Sequence, residues 1–131
     1  MNVEIFSLCD AATAEGGKMN ILGSFDSIWA KSIPVVHPQC ALALRLRFDN
    51  SEGPQHQIVV NFVDFDGKHI MPSANGAITL QFSAEQKSVS ANVVLNIQML
   101  RIEREGEHSI DLLVDGHQAA SIPLFVRKPP Q

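Results

Sequence analysis

The sequence predicts an all-β fold, a two-sheet antiparallel β-sandwich of eight or nine short strands. Three observations carry the prediction. Apolar residues recur at every second position in run after run. Turn residues punctuate the chain about every eight to twelve residues, the spacing of sandwiches and barrels. No long stretch carries apolar residues at the three-and-four spacing of a helix. A phase slip and a proline inside a strand favour open sheets over a closed barrel.

The first element is a hairpin. Val3–Cys9 is short and apolar-rich, and Met19–Phe25 roughly alternates. Gly16-Gly17 between them supplies the positive φ of a reversal. Ala11–Glu15 reads as a short helical turn inside that connection. Gly23, inside a strand, predicts a bulge or a close backbone approach. Asp26–Val36 is a longer connection or irregular strand carrying Trp29, the only tryptophan.

Cys40–Phe48 is the clearest strand. Leu42, Leu44, Leu46 and Phe48 share one face, and Ala41, Ala43, Arg45 and Arg47 the other. A helix would scatter these leucines around its axis. Ile58, Val60 and Phe62 then alternate with Val59, Asn61 and Val63. Asp66-Gly67 signals a hairpin, with His69–Met71 as a short return strand. Ile78, Leu80 and Phe82 form the next inward row. Val93, Leu95, Ile97 and Met99 alternate, but Leu100 and Ile102 occupy the other parity, which predicts a β-bulge near Met99–Leu100. Ile110, Leu112 and Val114 lead into Asp115-Gly116, a second hairpin signal. Ala120, Ile122, Leu124 and Val126 close the sheet. Pro123 has no N–H, so this strand belongs at an edge or leaves that position unpaired.

The 131 residues, 45% of them hydrophobic, suit one domain over residues 1–131 with a single core. Net charge is −4 and no basic run occurs, so nucleic acid is not expected as a partner. No leader or long apolar segment is seen, so no membrane is expected either. Two cysteines, Cys9 and Cys40, both lie in strand-like runs. The expectation is a reducing cytoplasm and buried, inert thiols.

Leu8-Cys9-Asp10, the Gly17–Gly23 run, Phe25-Asp26 and Pro34-Val35-Val36-His37-Pro38 resemble an uncharacterised bacterial family of small β-sandwich domains. Ile110–Gly116 followed by Ile122-Pro123-Leu124 fits the same pattern. The resemblance implies a small bacterial sandwich. It implies no activity and no site residues.

Few residues combine into known chemistry. His37, His56, His69, His108 and His117 are scattered without metal-ligand spacing. Asp64-Phe65-Asp66-Gly67 fails the EF-hand register and reads as a capped turn. Asp49 and Asp66 flank opposite ends of one strand, about 20 Å apart by strand rise. No nucleophile elbow, Cys-x-x-Cys pair, P-loop or dinucleotide fingerprint occurs. No catalytic, cofactor or metal-binding residue is therefore assigned. Arg45 and Arg47 project from one sheet face among small apolar residues, with Asn61 placed nearby, and suit an acidic partner. Trp29 is expected at the core or its rim, with a ligand face as the rival role.

The function expected on these grounds is a non-enzymatic protein-interaction or binding module, meeting a protein partner or a second copy of itself. Contact residues would be Trp29, Arg45, Arg47 and Val59. One alternative is a small-molecule or carbohydrate module, with Pro34–Pro38 and Pro72–Gly76 framing a pocket near Trp29. The other is an enzyme of unrecognised type using His and Asp.

Overall fold

The computed structural model describes residues 1–130. It is built of two packed sheets. The strands are β1 (Asn2–Glu15), β2 (Lys18–Ser24), β3 (Ser27–Trp29), β4 (Val35–Asp49), β5 (Gln55–Val63), β6 (Ala74–Thr79), β7 (Ser88–Ile102), β8 (Gly106–Val114) and β9 (His117–Arg127). A single 3-10 turn, Asn50–Glu52, joins β4 to β5. One sheet has the order β2-β1-β4-β7 and the other β3-β9-β8-β5-β6. The first is antiparallel throughout. The second holds one parallel pair, β3 with β9.

Period two decides which side chains are inside. Leu42, Leu44, Leu46 and Phe48 of β4 are fully buried against Ile58, Val60 and Phe62 of β5 and Ile110 and Leu112 of β8. The first sheet also seals a small patch on its outer side. There Ala41 and Ala43 sit beside Cys9, roofed by Ile5, Met19 and Val94. Cys40 lies in the main core, so the two thiols occupy different clusters and both are free. Burial, with the Cys9 and Asp10 side chains beside it, pushes the Cys40 thiol up to about 11. Burial likewise raises Cys9. Neither is a nucleophile at neutral pH.

The opening hairpin is tighter than the sequence suggests. β1 continues straight through Ala11–Glu15, with no helical turn, and Glu15 pairs with Lys18. Gly16 (φ 60°) and Gly17 (φ 74°) alone make the reversal, a type I′ geometry matched to strand twist. Gly23 (φ 68°) faces the Asp10 carboxylate, and a Cβ there would collide with it. Because the carboxylate can swing aside, the backbone conformation is the larger obstacle. Gly23→Ala is expected to destabilise the protein by about 1–2 kcal/mol in urea unfolding. An unchanged midpoint would contradict this reading of Gly23.

The phase slip in β7 is present without a bulge. Pairing of β7 with β4 keeps one register from Val35↔Ile102 to Asp49↔Ser88. Met99 instead takes a left-handed conformation (φ 57°) and turns its side chain to solvent, while Leu100 and Ile102 point inward. Bulges do occur elsewhere, at Val3/Ile5 in the β1–β4 pair and Leu112/Leu113 in the β8–β9 pair. The expected return strand His69–Met71 is reduced to one bridge, Val63↔His69. Pro123 pairs with β8 on one side, and β3 reaches only Phe125–Arg127 on the other. The missing N–H thus lies on the uncovered part of β9.

Candidate functional site

Strand direction sorts the polar residues into two ends. β4 hands over to β5 at one end, beside the Asp115-Gly116 turn. β7 hands over to β8 at the other, beside the turn that leaves β5. Each end holds one buried histidine.

At the first end, His56 is 5% exposed and stacks on Phe48, with ring centroids 4.0 Å apart. Its Nδ1 lies 2.7 Å from Asp115 Oδ2 and its Nε2 lies 2.9 Å from the Gly53 carbonyl. Both ring nitrogens thus have an oxygen partner within hydrogen-bond distance. Asp115 also accepts from the Gln57 N–H at 2.9 Å. These bonds, His56 first, hold the Asp115 carboxyl below its usual range. Every polar atom here has a partner, which is the signature of a structural network.

The second end is different. His108, on β8, is 1% exposed. Its Nδ1 donates to the Gly106 carbonyl at 3.1 Å, which fixes the tautomer and leaves Nε2 open. Nε2 is the one buried side-chain nitrogen or oxygen without a hydrogen-bond partner among the described residues. The ring lines a cleft of about 270 Å³. Asp64, Lys68, His69 and Ile70 come to it from the segment after β5. Arg101, Glu103 and Arg104 come from the end of β7 and the following turn.

The carboxylate in this cleft is already engaged. Asp64 Oδ1 accepts from the Asp66 and Lys68 amides at 2.9 and 3.0 Å, closing the turn. Its Oδ2 lies 3.5 Å from Arg104. Burial works to raise the Asp64 pKa, but the two amides and the Arg104 and His108 charges outweigh it, and the net shift is downward. Arg104 also bonds Asp66 and stacks over the Phe65 ring at 3.9 Å. Its hydrogen bond to Asp66 raises its own pKa, so the guanidinium is a fixed cation. Arg101 Nε donates to Glu103 at 3.0 Å at the rim. Among the described residues Lys68 Nζ forms no ion pair.

The residues singled out in the sequence fall elsewhere and are not brought together. Arg45 and Arg47 lie on the outer face of the first sheet. Glu4 clamps both, 2.9 Å from each Nε, and Asn92 and Ser88 take their outer nitrogens. The bulge at Val3/Ile5 sets Glu4 between them. The two guanidinium bonds, Arg47 first, lower the Glu4 pKa. Val59 and Asn61 belong to the other sheet, so Asn61 is not a neighbour of the arginines. Trp29 is 56% exposed rather than at the core rim, because three-residue β3 is an edge strand and the indole faces solvent there. It borders a shallow groove with Asp10, Phe25 and His37. Pro72 lines a separate depression, so the two proline segments do not frame one pocket. Among the described residues no group of three His, Cys, Asp or Glu side chains is placed to hold a metal ion.

Periodicity singled out none of the cleft cations. One signal was available: two polar turns, Asp64–Lys68 and Glu103–Glu105, each follow a strand whose end lies near the same buried histidine.

Comparison with known proteins adds a family and a likeness to solved structures. No curated protein matches. Among the similar solved structures is an alkylpurine DNA glycosylase, AlkC of Pseudomonas fluorescens, bound to DNA containing an abasic site analogue. It matches with a TM-score of 0.49 and 11% identity, over 96% of this chain and 30% of the glycosylase chain. That protein is DNA-bound. The exclusion of nucleic acid rested on net charge and the lack of a basic run and is withdrawn, since neither decides what a local patch meets. A negative total does not prevent a local group such as Lys68, Arg101 and Arg104 from meeting phosphate. Among the described residues no helix is long and apolar enough to cross a membrane. By its match over residues 4–127, the chain belongs to DUF6941, a family of unknown function.

Proposed function

We propose that this protein is a non-enzymatic binding module whose ligand site is the cleft between the turn after β5 and the turn after β7. The single observation that carries the reading is His108 Nε2. A buried polar atom left without a partner costs about 1–3 kcal/mol. The same chain satisfies both nitrogens of its other buried histidine, His56. A ligand group at the cleft offsets the cost at His108. Asp64 and Arg104 are bonded into the walls, which suits binding better than proton transfer. A bacterial, cytoplasmic setting belongs to the same proposal, supported by two buried free thiols and the family resemblance.

The test is a titration of isotope-labelled protein with a panel of small metabolites, following backbone amide signals. The expected result is a set of shifts centred on Asp64–Lys68 and Arg101–His108. Shifts confined to other surfaces, or none across the panel, would remove the cleft from consideration.

A second reading has its own observation, the exposed indole of Trp29 beside its groove. An exposed tryptophan next to polar groups suits the face of a sugar ring. Trp29 fluorescence is expected to change on titration with oligosaccharides if this is the site. A flat response in Trp29 emission would exclude it.

A further inference from the structure

We infer that the cleft beside His108 recognises a phosphate monoester group on a small molecule. The inference rests on the proposal that this cleft is the ligand site. The reason is the balance of uncommitted hydrogen-bonding groups. The Asp64 carboxylate is taken up by two backbone amides and the Arg104 guanidinium. Among the lining residues, the cationic side-chain donors without a partner are Lys68 Nζ, the terminal nitrogens of Arg101, and Arg104 Nε and Nη2. His108 Nε2 joins them once it carries a proton.

Charge does not oppose this: Lys68, Arg101 and Arg104 are balanced by Asp64, Asp66 and Glu103, and all three carboxylates are already bonded. Uncommitted donors beside satisfied carboxylates favour an oxyanion. The donors converge from three directions: the turn after β5, the end of β7 and its turn, and β8. A planar carboxylate offers two oxygens in one plane. A phosphate monoester offers three terminal oxygens on a tetrahedron and meets such a set more fully. The cleft volume of about 270 Å³ holds the phosphate and a small attached group.

The experiment is calorimetric titration of the full chain with ribose 5-phosphate, inorganic phosphate, acetate, ribose, and a short single-stranded DNA without terminal phosphates. The expected result is binding of ribose 5-phosphate and inorganic phosphate, with no heat from ribose and much weaker binding of acetate. Lys68→Glu and Arg101→Glu, both surface changes, are each expected to weaken ribose 5-phosphate by about tenfold or more. His108→Phe is expected to abolish binding, and circular dichroism reports whether that variant folds. The surface variants carry the test if it does not. Equal binding of acetate, or affinity untouched by both Lys68→Glu and Arg101→Glu, would overturn the phosphate assignment. So would binding of the DNA alone, which would point to phosphodiesters. Ribose binding at the cleft without phosphate would overturn the phosphate assignment and leave the cleft as the ligand site. Absence of any cleft ligand, here and in the metabolite panel, would remove both.

Discussion

Phe48→Ala is expected to destabilise the protein by about 4 kcal/mol. Phe48 is fully buried at the end of β4 and is among the largest side chains in the core. It also stacks on His56, which belongs to the opposite sheet. Truncation removes the transfer free energy of the ring and leaves a cavity that the flanking strands, tied by their ladders, cannot close. It also exposes one face of a buried imidazole ring whose nitrogens must stay in register with Asp115 and Gly53. Domains of this size commonly have only about 5–15 kcal/mol to lose. A loss of this size lowers the melting temperature by roughly 15 °C. Phe48→Leu, which refills most of the volume, is expected to cost about 1–1.5 kcal/mol. Chemical unfolding of the two variants checks the contrast. Equal small losses would mean that the ring does not bridge the sheets.

Asp115→Asn is expected to cost about 2 kcal/mol and to change how stability depends on acid. The asparagine side chain keeps the size and tolerates the positive φ (51°) of the turn, so the substitution isolates the charge. The carboxylate accepts from His56 and from the Gln57 amide, and charge-assisted bonds of this kind are worth about 1.5–3 kcal/mol each. Asp115 is 46% exposed at its side chain, so solvent takes back part of that and the lower figures apply. The pH dependence follows from the lowered carboxyl pKa. An unfolded carboxyl titrates near the ordinary 3.8, and the folded one below it. Between the two values the unfolded chain binds the proton more readily, so stability falls as pH falls. The contribution is complete above the unfolded value and is lost as pH drops through the folded one. Glu4 and Asp64 shift in the same direction and add to the acid loss. Denaturant melts of wild type and Asp115→Asn from pH 6 to pH 2 are expected to converge at the acid end. Parallel curves over the whole range would contradict the charge-based account of this turn.

Most of the strands were legible because burial imposes period two directly on the sequence. Leu42, Leu44, Leu46 and Phe48 read inward from their spacing alone and are inward. The Gly16-Gly17 and Asp115-Gly116 reversals were equally plain, since φ > 0 at both turn positions leaves few residue choices. What failed to show was partnership between distant segments. No local rule says that Glu4 reaches both Arg45 and Arg47, because the contact depends on a bulge in β1 and on β1 lying next to β4. Nor could spacing place Val59 on the other sheet from Arg45. The slip at Met99 was visible, but its mechanism was not. A bulge and a single left-handed residue give the same parity change, and only the unbroken register with β4 separates them.

The cleft was hidden for the same reason. Asp64 is far in sequence from Arg101 and His108, and meets them only because β7 hands over to β8 beside the exit of β5. Local reading identified Asp64–Gly67 as a capped turn, which the two amide bonds to Asp64 support. It did not reveal that the same turn forms a wall beside a buried imidazole. Trp29 misled in the opposite direction. Tryptophan is usually well buried, and nothing around Ile28 announces that β3 stops after three residues at a sheet edge.

The most direct measurement is a long-range nitrogen–proton spectrum of the five histidine rings, recorded free and with ribose 5-phosphate. The expected result is a proton on His108 Nδ1 in the free protein, as its bond to the Gly106 carbonyl requires, and a large shift of its Nε2 signal on ligand addition. His37, His56 and His117 should stay in place. A His108 ring that carries its proton on Nε2 alone, or an Nε2 signal unmoved at saturating ligand, would contradict the claim that this nitrogen awaits a ligand.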